Sequence, residues 1–251
     1  DSTTEAVSEP GLGLALLVAL ALIDGNLRRQ VSNNLPEKAP DFFFVDIQNN
    51  EKDAFESLLE AQASGGKVFS VPMLRGRITE LKGIRAEEYP VGSEGGWVLR
   101  GDRGITYAQN IPENSTLSKG EWWPADYAGE PLVSFSAEEA GELGLDVGDT
   151  ITVNVLGRNL TARIASLRNV EWETLAINFV MVFSPNTFAG APHAHLATLT
   201  LEEGAEGASE DRAALDARDG AIVRAIAAEY PAVTTVRVRE ALDTVNGLIA
   251  Q

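Results

Sequence analysis

The sequence predicts an α+β fold: two β-α-β halves sharing one sheet, a β-rich insertion between them, and a helix at each end. Three observations carry this. One β-α-β pattern occupies 37–73 and a second occupies 193–238. The stretch between them, 74–192, shows short runs of period-two hydrophobic alternation separated by turn residues. With 251 residues, 44% of them hydrophobic, the chain is long enough to bury a substantial core.

The N-terminal segment 1–10 is polar and acidic and reads as a tag or disordered lead. Gly11 to Ile23 carries no charge. As a helix it would be ~20 Å long, short of the ~30 Å of a bilayer core. A signal-peptide core, a buried helix and the outer end of a transmembrane helix cut short all fit that length. The residues that follow favour the last reading. Ile23, Leu27, Val31 and Leu35 recur every four positions among polar residues, as in a helix passing from an all-round apolar to an amphipathic environment. Pro36 and Pro40 end it. Segment 11–36 is therefore read as the end of a transmembrane helix and a stem.

Phe42, Phe43, Phe44, Val45 and Ile47 form a run suited to a strand buried on both faces. A helix follows, with Asn50 as candidate N-cap, Phe55, Leu58 and Leu59 on one face, and Gly65-Gly66 as its stop. Lys67 to Met73 closes the first half. In the insertion, Arg75–Leu81 and Trp97–Arg100 are candidate strands, Ala137–Leu143 a short helix, and Asn178–Phe183 a buried strand. The clearest hairpin is Thr150–Ala165, with Gly157-Arg158-Asn159 as its turn. The second half comprises a strand at His195–Leu201, a helix from Ser209 or Asp211 striped by Leu215, Ile222, Val223 and Ile226, and a strand at Val233–Val238. Together the halves make a split, ferredoxin-like pattern with both helices on one face. The final segment 239–251 is helical, striped by Leu242, Val245, Leu248 and Ile249, and reads as a second stem leading to a further transmembrane helix.

Composition narrows the functional classes. Twenty Lys and Arg against 37 Asp and Glu leave a formal charge of −17, with no basic run, so nucleic acid is set aside as a partner. The absence of cysteine removes thiolate metal sites and thiol nucleophiles. No nucleophile elbow, zincin motif or phosphate-binding P-loop is present, so no catalytic, cofactor or metal residues are assigned. His193 and His195 form an H-x-H pair, which needs a further ligand to hold zinc; a loop–strand junction accounts for them more simply. Arg100-Gly101-Asp102 reads as a charged turn. Asn114-Ser115-Thr116 and Asn159-Leu160-Thr161 match the glycosylation sequon by triplet alone. Asp211, Asp216 and Asp219 read as a solvated helix face. Trp122, Trp123 and Trp172 are candidates for an apolar ligand or partner surface, against the plainer reading of core packing.

Several segments taken together carry a resemblance: LGLALLVALALIDGNLRRQ, LPEKAPDFFFVDIQ, WVLRGDRGITY, GEWWPADYAGEPLVSF, LGLDVGDTITVNVLGRNLTARI and INFVMVFSPNTFAGAPH. The chain resembles the FtsX/MacB-type ABC-transporter permeases, and more narrowly the YbbP-like group, from about Gly11 to Gln251. The resemblance implies an extracytoplasmic domain with a porter-like α+β subdomain (37–73 and 193–238) and an inserted β-rich subdomain (74–192). It implies a bacterial inner-membrane permease held in the membrane by the flanking helices, with this domain in the periplasm. ATP would be bound by a separate ATPase subunit, with no cofactor on this chain. A periplasmic lipase- or esterase-like protein would be a partner. The expected function is non-catalytic: the stems, marked by Leu27, Val31, Leu35, Leu242, Val245 and Ile249, couple ATP-driven motion to movement of a lipid, lipoprotein or other hydrophobic substrate. The alternative reading is a free-standing extracytoplasmic module that binds an apolar ligand or peptide. A hydrolase with an unrecognised site is a third.

Overall fold

A computed structural model describes residues 39–92, 94–171, 177–202 and 211–249. The fold is mixed α and β. Its described part divides into two compact units: 39–70 with 195–202 and 211–249, and 71–92 with 94–171 and 177–194.

The first unit is built on β1 (Phe42–Gln48), the opening four residues of β2 (Lys67–Leu81), β10 (Ala194–Thr200) and β11 (Thr234–Arg237), in the order β11-β1-β10-β2. β1 sits between two neighbours, and Phe42, Phe43, Phe44 and Val45 are all buried, as a two-sided strand requires. Helices α1 (Lys52–Gln62) and α3 (Arg212–Glu229) place Phe55, Leu59, Ile222 and Ile226 in one core with Phe42, Phe44 and Leu199. The Phe44 and Phe55 rings meet edge to face at 5.2 Å, and Phe55 meets Tyr230 likewise at 5.3 Å. The cap of α1 is Glu51 rather than Asn50, with no side-chain cap bond; Asn49-Asn50 turns the chain and leaves the cap one residue further on. Asp211 caps α3, its carboxylate accepting from the Ala213 amide.

The second unit is a closed barrel. In it β2 pairs with β4 (Arg103–Tyr107), β4 with β9 (Met181–Phe183), β9 with β6 (Leu132–Ser136), β6 with β8 (Arg158–Val170), β8 with β7 (Thr150–Val155), and β7 again with β2. Two of the pairings, β4–β9 and β6–β8, are parallel. Ring closure removes the unpaired edges an open sheet would carry. The interior is filled by Leu74, Ile78, Ile105, Phe135, Val153, Ile164 and Phe183, among others. Helix α2 (Ala137–Leu143) follows β6 and ends on Gly144 at φ 66°. The short strands β3 (Ile84–Arg85) and β5 (Ser115–Gly120) attach to β2 and β8.

Three expectations are corrected here. Lys67–Met73 and Arg75–Leu81 are one 15-residue strand; it continues through Pro72, whose carbonyl accepts from the Thr106 hydroxyl at 2.6 Å, and the strand changes partners rather than ending. Trp97–Arg100 is not a strand: Trp97 to Leu99 lie in a 3-10 turn, Gly95–Leu99, and Arg100 caps it. The Arg103 guanidinium lies 4.8 Å from the Trp97 ring centre and donates to the Trp97 and Arg100 carbonyls, satisfying the end of that turn. The β7–β8 turn is Leu156-Gly157, since Val155 already pairs with Arg158.

Candidate functional site

The α+β unit receives and releases the chain at one place. β1 and β11 are antiparallel neighbours with Phe42 opposite Arg237. One residue further out, the Val238 amide donates to the Asp41 carbonyl at 3.0 Å. Helix α4 (Val238–Ile249) starts there without a loop. An open cleft of about 190 Å³ lies at this junction, between Ala39, Pro40 and Asp41 on the incoming side and Val238, Leu242 and Asp243 on the outgoing one. Asp41 ties the junction to β10: its amide donates to the Leu199 carbonyl at 2.8 Å, and its carboxylate accepts from the Leu201 amide at 2.7 Å.

The outgoing strand is also clamped to a helix. Arg237 Nε donates to Asp219 Oδ2 at 2.6 Å, and its terminal nitrogen bonds Asp216. Asp219 is buried and is met from the other side by Arg218 at 3.3 Å. The hydrogen bond from Arg237 holds the Asp216 carboxyl below its ordinary range. The solvated-face reading therefore fails for Asp219, because one turn of helix turns its carboxylate towards the strand. Arg212 extends the contact to α4 through Asp243 at 3.2 Å.

Of the residues singled out in the sequence, Leu242 is half-buried at the cleft. Val245 and Ile249 fall in α4. Leu27, Val31, Leu35 and Trp172, and with them the segments 1–10 and 11–36, lie outside the described residues. Trp123 is 4% exposed and donates its indole N–H to the Ala108 carbonyl at 2.9 Å. Its ring lies 4.0 Å from that of Trp122, which is half-buried and bonded to the Gln109 carbonyl at 2.8 Å. Trp123 thus packs with Phe179 and Val182 in an apolar cluster of its own, apart from the barrel core.

The histidines do not converge. His193 Nδ1 donates to the Ala191 carbonyl at 2.9 Å, which can only accept, and Nε2 shares a hydrogen bond with the Tyr107 hydroxyl at 2.9 Å. His195 Nε2 bonds Asn49 Oδ1 at 2.7 Å. Among the described residues no three metal-ligating side chains gather. In Arg100-Gly101-Asp102, Gly101 turns at φ 73° and Asp102 pairs with Arg77 at 3.3 Å. Among the described residues no helix is long and apolar enough to cross a membrane.

The barrel holds a polar centre that sequence reasoning missed. Arg168 is buried, and its guanidinium donates to Ser134 Oγ, Ser115 Oγ and the carbonyls of Phe179 and Val180 at 2.9–3.1 Å. Burial lowers its pKa to about 10, the nearby Glu139 charge opposing that drop, so it stays charged at neutral pH. Glu139 is buried too, and burial raises its carboxyl pKa. The available signal was parity: Ala162, Ile164, Ser166 and Arg168 alternate on one strand, and all four are buried.

No protein-family model matches the chain. Its sequence is, however, similar to that of an ABC transporter permease. The match is to the "Uncharacterized ABC transporter permease YbbP" of Escherichia coli (strain K12), 26% identical over 203 residues, which is 81% of this chain and 24% of that protein. The chain spans about a quarter of that permease's length.

Proposed function

We infer that this chain is a non-catalytic extracytoplasmic domain of an ABC-permease subunit, placed on the periplasmic side of a bacterial inner membrane. It couples the motion of a separate ATPase subunit to movement of a lipid, lipoprotein or other hydrophobic substrate. The observation that carries this reading is the 3.0 Å bond between Val238 and Asp41. A domain looped out between two membrane helices must receive and return its chain at one point. Kinship with a permease supports the same reading. So does the strand order β11-β1-β10-β2 with both helices sharing one core, which fits a split βαβ, porter-like body.

In this mechanism the incoming stem, marked by Leu27, Val31 and Leu35, and the outgoing stem, marked by Leu242, Val245 and Ile249, change spacing as the ATPase closes. The Arg237–Asp219 clamp passes that change to α3. Coupling of this kind requires two states that differ in stem geometry. The test is to express the subunit with its native neighbouring genes and purify it from membranes. An ATPase subunit recovered in fixed stoichiometry supports the reading; a subunit recovered alone in the soluble fraction ends it. In the assembled complex, alanine at Leu27, Val31 and Leu35 together should leave ATP hydrolysis running while transport stops.

A further inference from the structure

Helix α2 begins on a spacing that elsewhere closes a helix end. Ser136 is its N-cap and Glu139 stands three residues on. In that pattern the glutamate carboxylate accepts from the cap residue's amide, and the serine hydroxyl accepts from the glutamate's. Here the Ser136 amide goes instead to the Val180 carbonyl at 2.9 Å, extending the β6–β9 pairing, and no side chain caps the helix. Glu139 is 5% exposed and Ser136 1%. Glu139 Oε2 and Ser136 Oγ hold no hydrogen bond. A carboxyl group buried in this way favours its neutral form, and burial raises the Glu139 pKa above its ordinary 4.5.

The groups packed around Glu139 leave it in that state. From β8 the facing cation is Arg168, whose N–H groups go to Ser134 Oγ, Ser115 Oγ and the carbonyls of Ser134, Phe179 and Val180. On α2 itself, Glu138 and Glu142 repel a charge at 139. The 3-10 turn Gly95–Leu99, which meets α2 where Gly95 abuts Glu142, contains no titratable residue, and neither does β6. Arg103 beside that turn is bound to the Trp97 and Arg100 carbonyls. At the far end of the helix, Tyr89 donates its hydroxyl to the Leu143 carbonyl at 2.6 Å, and Lys82 donates to the Gly144 carbonyl. The helix supplies no strand to the barrel. Ala140 and Leu143 hold it on the barrel core, so it can open locally with the ring of strands intact.

We propose that α2 is a proton-released latch: neutral Glu139 holds the helix on the barrel, and ionisation of Glu139 frees it while the strands stay closed. The inference does not rest on the transport reading. The closed helix keeps a proton that the open helix gives up, so closure is complete below the ordinary glutamate value, weakens as pH rises towards the raised one, and then levels off. Hydrogen exchange of the intact chain, expressed as protection factors for each segment between about pH 4.5 and about pH 8, tests this. Protection over 137–145 should fall by up to about tenfold per pH unit and then level off, while β8 and β1 keep theirs. Glu139→Gln should flatten that profile at the protected level, and Glu138→Gln, at an exposed position, should leave the wild-type profile unchanged. The regional contrast in the wild type decides the matter without any variant. The proposal is overturned by a flat wild-type profile over 137–145, by a fall shared equally with β8 and β1, or by a fall that persists in Glu139→Gln.

Discussion

Arg168 meets its carbonyl and hydroxyl acceptors with a planar fork, and a lysine has one nitrogen to offer in its place. Arg168→Lys should therefore cost about 2 kcal/mol or more in urea unfolding, and Arg168→Met more still, since it strands every acceptor at once. Rescue to wild-type stability by lysine would show that charge alone matters there. The carboxylates differ in sign. Burial raises Glu139 above its ordinary 4.5, so its contribution is complete below that value and lost as pH rises through the raised one. Glu139→Gln should gain on the wild type across that interval and run parallel to it outside. Asp216 is lowered by its bond from Arg237, so its contribution is present above the ordinary aspartate range and lost as pH falls through the depressed value. Arg237→Ala should return the Asp216 titration, followed by carboxyl NMR, to the ordinary range. It should also destabilise the fold by about 3 kcal/mol, because Asp219 remains buried with Arg218 as its one cation.

Elements in this chain are held by what lies across from them as much as by their own residues. β2 runs through Pro72 and a change of partners, which local propensity marks as an ending. Trp97–Arg100 reads as a strand by its apolar residues, yet the chain turns there, with Arg103 bonding the Trp97 and Arg100 carbonyls. Helix α3, by contrast, begins where its cap stands: Asp211→Ala should cost about 1 kcal/mol, measured by thermal unfolding. The β7–β8 turn gives the opposite case. Leu156→Asn suits the left-handed backbone and should stabilise the fold by roughly 0.5–1 kcal/mol. A loss instead would mean that the leucine packs against something within the chain.

For the whole molecule, 37 acidic against 20 basic residues create self-repulsion that screening relieves. The melting temperature at neutral pH should rise on going from about 0.02 to about 0.2 M salt; a fall would show that the surface ion pairs outweigh net charge.

The α+β class, the Phe42–Val45 central strand, α2, the β7–β8 hairpin and the apolar stripes of α1 and α3 were legible in the sequence. Each depends on periodicity or a local stop signal, and such signals act over a few residues of backbone geometry. Barrel closure, the interior position of Arg168, the burial of Asp219 and Trp123, and the meeting of Asp41 with Val238 came only from the tertiary structure. They depend on which strands pair and in what register, and residues nearly two hundred positions apart must find one another before any of those contacts exists. The sequence alone determined what each segment can form; only the closed ring of strands and the packed sheet decided which of its charges face inward, outward or one another.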